Sequence, residues 1–187
     1  PFTTLDLSKQ SGTSLPSTIT SLDATVLSGN LPAISGASLT NIDGGKILQI
    51  KNIHSTATTA TSSGSYTATA LDLSITPTSS SSKIIISMST NTDNEAGGRQ
   101  AEIGLWREIG GDGSTNTVIG GNSMVMASYG VSSRIVTGSS FVYIDSPATT
   151  SSVRYRVVIK SNTGNQVLFG AYMGSNSTII LQEATVA

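Results

Sequence analysis

The single histidine is the first residue to weigh as a catalytic or metal-binding group. His54 has no second histidine and no cysteine to work with anywhere in the chain. A zinc site built on it would need several carboxylates. A Ser-His-Asp triad would lack the Gly-x-Ser-x-Gly turn that exposes a nucleophile. We therefore interpret His54 as a surface or strand-end residue, not as a general base or metal ligand.

Acidic residues could do chemistry as a pair, because two carboxylates can cleave a glycosidic bond. Asp93 lies close to Glu95 in sequence, and Glu102 lies close to Glu108, but neither pair falls in a segment that predicts a cleft. Residues 93–95 and 112–114 could supply oxygen ligands to calcium, but neither segment has the spacing of a twelve-residue calcium loop. We expect solvated turns there, with no catalytic residue, metal or cofactor, and keep a glycan-degrading enzyme as the alternative.

The composition narrows the classes of partner. Charged residues make up 11% of the chain, less than half of the usual value of about 25%. The net charge is -1, so no basic patch tracks a phosphate backbone, and nucleic acid is not expected as a partner. No apolar run approaches the roughly 18 residues of a membrane-spanning helix, so no membrane insertion is expected. Serine, threonine and glycine dominate instead, which is typical of short strands joined by tight turns.

The first 44 residues differ from the rest of the chain. Residues 12–19 are loosely echoed by residues 29–34 and 36–42, and each unit offers two apolar residues and a turn glycine. One such strand cannot bury these side chains alone, whereas three copies wound around one axis could. We predict an extended shaft segment over residues 1–44 and a tip domain over residues 45–187, with a flexible linker as the alternative to the shaft. The shaft residues expected to meet other chains are Leu15, Ile19, Leu31, Ile34, Leu39 and Ile42.

Beyond residue 44 the apolar residues alternate with period two. In residues 153–160, Val153 and Tyr155 begin an apolar face, while Arg154 and Arg156 begin a charged one. Turn signals separate this run from its neighbours, and no amphipathic helix is visible. The pattern predicts an all-β fold, an antiparallel jelly-roll-like sandwich. The other predicted strands cover residues 46–53, 66–76, 83–89, 101–109, 123–128, 134–145, 166–172 and 178–184.

Two of these strands are apolar on both faces. Val142 and Ile144 alternate with aromatic residues, and Ile180 lies between other apolar residues near the C-terminus. A solvated outer face would not use such side chains, so these strands are either central in the sandwich or in contact with another subunit.

The only tryptophan is out of phase with the core pattern of its own strand. Trp106 alternates with Ile103 and Leu105, which places it on the opposite face of a regular strand. We expect it at a subunit interface, with a platform for stacking a sugar as the second interpretation.

Several strings resemble a recurrent module at the ends of bacteriophage tail fibres, of a type common in phages of marine bacteria. The resemblance begins at residues 73–86, which include LSITP and SSSSKIII. The strings IGLWR at 103–107 and SFVYIDSP at 140–147 resemble the next two blocks, and STIILQE at 177–183 resembles the last strand. Upstream, LPAISGASLTNI at 31–42 resembles the linker-like repeat that precedes many fibre tips.

The resemblance implies a homotrimeric structural protein of the virion, located in the phage tail and acting outside the cell. Its implied partners are other virion proteins and a bacterial surface glycan or protein receptor. A decoration, collar or head-fibre protein of the same architecture is an alternative. The resemblance assigns no binding residue.

Receptor contacts are expected in the polar loops of a rigid sandwich. Residues 93–99, 110–116, 162–165 and 174–176 are the four candidate segments, and Tyr129 or Tyr172 could add an aromatic face. The candidate receptor-binding side chains are Asp93, Asn94, Glu95, Arg99, Asp112, Asn116, Asn162, Asn165 and Asn176.

Overall fold

A computed structural model describes residues 45–94, 98, 100–111, 117–120, 125–129, 133–170 and 176–185. These residues form strands and turns, with no helix among them, and the strands make two antiparallel sheets. The predicted all-β sandwich is confirmed. In the described ranges, no helix is long and apolar enough to cross a membrane. The strands are β1 (Ile47–Ser55), β2 (Thr59–Thr61), β3 (Thr67–Ile75), β4 (Lys83–Asn94), β5 (Gln100–Ile109), β6 (Thr117–Ile119), β7 (Val125–Tyr129), β8 (Ile135–Asp145), β9 (Val153–Ser161), β10 (Val167–Phe169) and β11 (Ser177–Ala184).

The first sheet has the strand order β1-β11-β4-β10-β2, and β8 pairs with β4. The first and last strands pair along most of their lengths, from Ile47 opposite Ala184 to Ser55 opposite Ser177. Strand β4 pairs with β8 from Ile84 to Asn94, while β11 and then β10 share its other edge. Among the described strands β8 has β4 as its one partner, so it forms a margin of this sheet.

The second sheet has the strand order β3-β9-β5-β6, and β7 also pairs with β5. Strand β9 is central, with β3 on one edge and β5 on the other. The charged residues that alternate along β9 therefore lie in the middle of a sheet face, with neighbours on both sides.

The core lies between the sheets and follows the period-two alternation. Val153, Tyr155, Val157 and Ile159 of β9 point inward together and are fully buried. Other buried members of the cluster are Leu71, Ile75, Ile84, Ile86, Ile103, Leu105, Phe169, Ile179 and Leu181.

Contacts between the ends of strands identify the two ends of the sandwich. The near end is the one where β1 begins, and there Gln49 Nε2 donates to the Thr76 carbonyl 2.8 Å away, at the end of β3. At the opposite, far end, the turn after β9 leads into β10, which pairs with the last residues of β4. The turn that follows β5 starts at the near end, because Gly110 N donates to Ser152 O there at 2.9 Å.

The main differences between the structure and the sequence prediction are two short strands and the end of β4. Strands β2 and β6 have three residues each and were not predicted. Strand β4 runs on to Asn94, so the predicted polar loop over residues 93–99 starts inside a strand. Asp and Asn are poor strand formers, but β8 and β10 pair with the two edges of β4 there and fix its backbone.

The predicted shaft lies outside the described residues. Its extended form, the boundary at residue 44 and the proposed contacts of its apolar residues therefore stay predictions. They concern Leu15, Ile19, Leu31, Ile34, Leu39 and Ile42.

Candidate interaction surfaces

The outer face of the first sheet is apolar and exposed at both margins. Ile50 on β1 keeps 60% of its surface exposed, and on β8 Val142 keeps 69% and Ile144 keeps 59%. Between them, Ile85 on β4 and Ile180 on β11 are partly buried. We call the outward side of these four strands the apolar face.

Strand pairing aligns the outward residues of the apolar face in rows across the four strands, with neutral polar side chains between the apolar ones. Ile50 lies opposite Gln182, Gln182 opposite Ile85, and Ile85 opposite Ile144. The next row runs from Asn52 through Ile180 and Ser87 to Val142, since each is opposite the next.

The two strands that are apolar on both sides have different explanations. Strand β11 lies between β1 and β4, so the partial burial of Ile180 follows from its central place. Strand β8 lies at a margin, and the outward Val142 and Ile144 remain mostly exposed. The sequence allowed two explanations, a central place in the sheet or contact with another subunit. The first holds for β11, and the second stays a prediction for β8.

His54 is an outward residue of the apolar face. Its Nδ1 lies 2.8 Å from Thr178 Oγ1, and its Nε2 lies 3.1 Å from Asn52 Nδ2. Both ring nitrogens therefore have neutral partners, as expected for a surface residue of a strand.

The outer face of the second sheet carries a network of ion pairs, which we call the charged face. Arg154 Nε donates to Asp72 Oδ1 at 2.6 Å, and Arg156 Nε donates to Asp72 Oδ2 at 3.0 Å. Arg154 also reaches the buried Glu108, with Nη1 and Oε2 3.5 Å apart. Partial burial by itself would raise the pKa of Asp72, but the hydrogen bond from Arg154 and the two guanidinium charges outweigh it and hold that pKa below its usual range.

A second cluster on the charged face lies toward the far end. Lys160 Nζ is 2.9 Å from Glu102 Oε2, and the side-chain amide of Asn162 also donates to this carboxylate. The Lys160 ammonium stands 5.0 Å from the centre of the Tyr66 ring, a favourable cation–π distance. The carboxylates of this face are thus balanced by cations of the same face.

Tyr66 fills the space that Gly104 leaves on the charged face. A Cβ added to Gly104 would lie 2.9 Å from Tyr66 Cζ, so the ring covers the bare backbone of β5. Burial, and then the charge of Glu102, raise the pKa of Tyr66 to about 12.

Trp106 also lies on the charged face, opposite Arg156 on β9 and Val118 on β6. It is half-buried, while Ile103 and Leu105 are in the core, so its expected orientation away from the core is confirmed. Whether Trp106 contacts another subunit or a sugar stays a prediction.

Polar side chains also lie inside the sandwich, at its near end. Arg107 Nη1 is 2.9 Å from Asp145 Oδ1, and Tyr155 Oη donates to Asp145 Oδ2 at 2.7 Å. Burial and then the bond to Asp145 raise the pKa of Tyr155. These contacts join β5 and β9 of one sheet to β8 of the other.

Glu183 is a second interior acid at the near end. It is fully buried and accepts hydrogen bonds from Gln49 Nε2 at 2.6 Å and from the backbone and hydroxyl of Thr78 at 2.6 and 2.7 Å. Burial acts to raise its pKa, but these donors outweigh burial and lower the pKa to about 2. Sequence reasoning missed this site because its donors are far apart along the chain.

Two candidate receptor residues are corrected by the structure. Asp93 and Asn94 are fully buried in β4, and Arg134 Nε donates to both carboxylate oxygens of Asp93 at 3.0 Å. They are therefore not in an exposed loop, and neither is placed to touch a receptor.

The other candidates divide into two groups. Asn162 and Asn165 are exposed in the turn before β10, and Asn176 is exposed directly before β11, all at the far end, although Asn162 donates a hydrogen bond to Glu102. The remaining candidates lie outside the described residues: Glu95, Arg99, Asp112, Asn116 and Tyr172. Tyr129 lies in β7, but its side chain is also outside the described part of the structure.

Within the described ranges, no cavity is found, and no group of three or more His, Asp or Glu residues could hold a metal ion. The described surface consists of the outer faces of the two sheets and the turns between strands.

The chain matches no protein-family model and no curated protein. Among solved structures it is similar to that of infectious bursal disease virus, Gx strain, with 14% identity and a TM-score of 0.41 over 82% of this chain and 42% of that chain. A VP2 subviral particle of the same virus gives the same identity and TM-score over 82% of this chain and 43% of that one. The chain thus spans about two fifths of the length of these proteins. Similarity of this degree assigns no function.

Proposed function

We propose that this protein is a structural, non-enzymatic component of a virus particle, and more narrowly the homotrimeric tip of a bacteriophage tail fibre that contacts the host cell surface. Its partners would be other virion proteins and a glycan or protein on the bacterial surface. The strings at residues 73–86, 103–107, 140–147 and 177–183 support the fibre-tip interpretation through their resemblance to that module.

The observation that carries the proposal is the exposed apolar face. Val142, Ile144 and Ile50 present large β-branched side chains to solvent on one side of a stable sandwich. Exposed apolar patches of this kind mark surfaces that associate with other proteins. A chain that functions within a larger assembly accounts for such a face.

The described turns at the far end support a host contact at the tip. Asn162, Asn165 and Asn176 are exposed there, at the end opposite to the one where β1 begins. Polar side chains in turns on a rigid scaffold suit the recognition of sugars.

Cell binding tests the proposal. Fluorescently labelled protein should bind whole cells of a phage-sensitive strain and fail to bind a resistant mutant lacking the receptor. Replacing residues 162–165 by a short Gly-Ser turn should reduce binding without changing the oligomer mass. Equal binding to sensitive and resistant cells would contradict the receptor role, and release of reducing ends from host polysaccharide would favour a glycan-degrading enzyme.

A further inference from the structure

We infer that the apolar face is the contact surface between copies of this chain, and that three such faces meet around a threefold axis. Each copy would give its β8 margin to one neighbour and its β1 margin to the other. The inference deepens the proposed function and rests on the self-association that it includes.

The first argument is the position of the exposed apolar side chains. They lie at the two opposite margins, with Val142 and Ile144 on β8 and Ile50 on β1. Three interstrand spacings of about 4.8 Å separate these strands, so the margins are roughly 14 Å apart and cannot cover each other within one chain. In a cyclic trimer every subunit meets two neighbours, and two separate apolar margins match that requirement.

The second argument is charge. Along the four strands, the outward residues between Lys83 at the near end and Asp93 with Arg134 at the far end carry no formal charge. The rows between the margins contain neutral hydrogen-bonding side chains such as Ser87 and Gln182. Depletion of charge at the centre is the compositional signature of protein interfaces.

The third argument identifies the occupant as a second apolar face. The other broad surface of the sandwich carries Asp72, Arg154 and Arg156, and covering it with apolar side chains would desolvate these ions at considerable cost. Contact between an apolar face and a charged face is therefore unfavourable, and in this arrangement Trp106, on the charged face, lies away from the contact between copies. The apolar face of another copy is neutral and apolar, and it has the same width.

The test uses matched substitutions on the two faces. Val142→Lys places a charge on the apolar face, and Val118→Lys places the same charge on the charged face, where Val118 is 36% exposed. Light scattering coupled to size exclusion at micromolar concentration should give the wild type and Val118→Lys three times 19.1 kDa. Val142→Lys should give a threefold lower mass, whereas Val142→Thr should keep the trimer.

Ile50→Lys on the opposite margin is the second, independent variant, and far-UV circular dichroism establishes that each variant is folded. If Val142→Lys does not fold, the oligomer mass of Ile50→Lys tests the interface instead. A trimeric wild type that both lysine variants leave trimeric would overturn the interface and leave the proposed fibre function standing. A monomeric wild type would overturn both.

Discussion

The two sheets distribute their polar side chains in opposite directions. The second sheet turns its charges outward, where Asp72 and Glu108 are paired with arginines of the same face. The first sheet turns acids inward at the near end, as Glu183 and Asp145 show, and exposes isoleucine and valine outside. A face whose charges are neutralised within the chain can stay in contact with water at little cost. A face of exposed apolar residues gains free energy when another surface covers it.

The interior acid Glu183 should give the largest effect. Its pKa is about 2 in the folded protein against an ordinary value of 4.5, so its contribution to stability is full above pH 4.5 and is lost as the pH falls toward 2. The shift corresponds to about 3 kcal/mol. Urea unfolding at fixed protein concentration should show Glu183→Gln destabilised by about 3 kcal/mol at pH 7, with the difference from wild type vanishing near pH 2.

A difference between wild type and Glu183→Gln that stays constant from pH 7 to pH 2 would contradict this assignment. The variant isolates Glu183 because the other acids, including Asp72, titrate in both proteins.

Breaking the charged face should have the next largest effect. Arg154→Met removes a guanidinium that contacts both the buried Glu108 and Asp72. We expect the free energy of unfolding to fall by about 2 kcal/mol, less than for a fully buried pair because Arg154 is partly exposed. Lys51→Met, at an exposed position on β1, is the control and should change it by less than about 0.5 kcal/mol. If Arg154→Met and Lys51→Met changed the free energy of unfolding by the same amount, the ion pairs of the charged face would contribute nothing to stability.

The smallest of the three effects concerns the packing of Tyr66 on the charged face. Gly104→Ala puts a methyl group 2.9 Å from the Tyr66 ring, which must move. We expect a loss of about 1–2 kcal/mol in unfolding free energy, measured by urea titration. In a Tyr66→Ala background the same change should cost nothing, because the ring is gone and alanine suits a strand better than glycine. The same loss in both backgrounds would show that Tyr66 does not occupy this space.

Period-two alternation predicted the sandwich, and it predicted that β9 has one apolar and one charged face, because each strand's pattern is local. The outward orientation of Trp106 followed from the same rule. The burial of Asp93 and Asn94 could not be predicted in this way, since it depends on β8, β10 and an arginine 41 positions away from Asp93.

The sequence also could not predict which strands lie at the edge of a sheet. The exposure of Val142 and Ile144 follows from the pairing of β8 with β4 alone among the described strands, and no local pattern states which strand ends a sheet. Strands of three residues, such as β2, are likewise fixed by a neighbour and not by their own alternation.

Thiol protection tests most directly whether the apolar face is covered. The chain has no cysteine, so Val142→Cys and Val118→Cys each introduce one thiol, on the apolar and the charged face respectively. In the native assembly a maleimide should modify the thiol at position 142 more than an order of magnitude more slowly than that at position 118, and the two rates should become equal in denaturant. Equally fast modification in a trimer of native mass would contradict the account, because the apolar face would then be open to solvent.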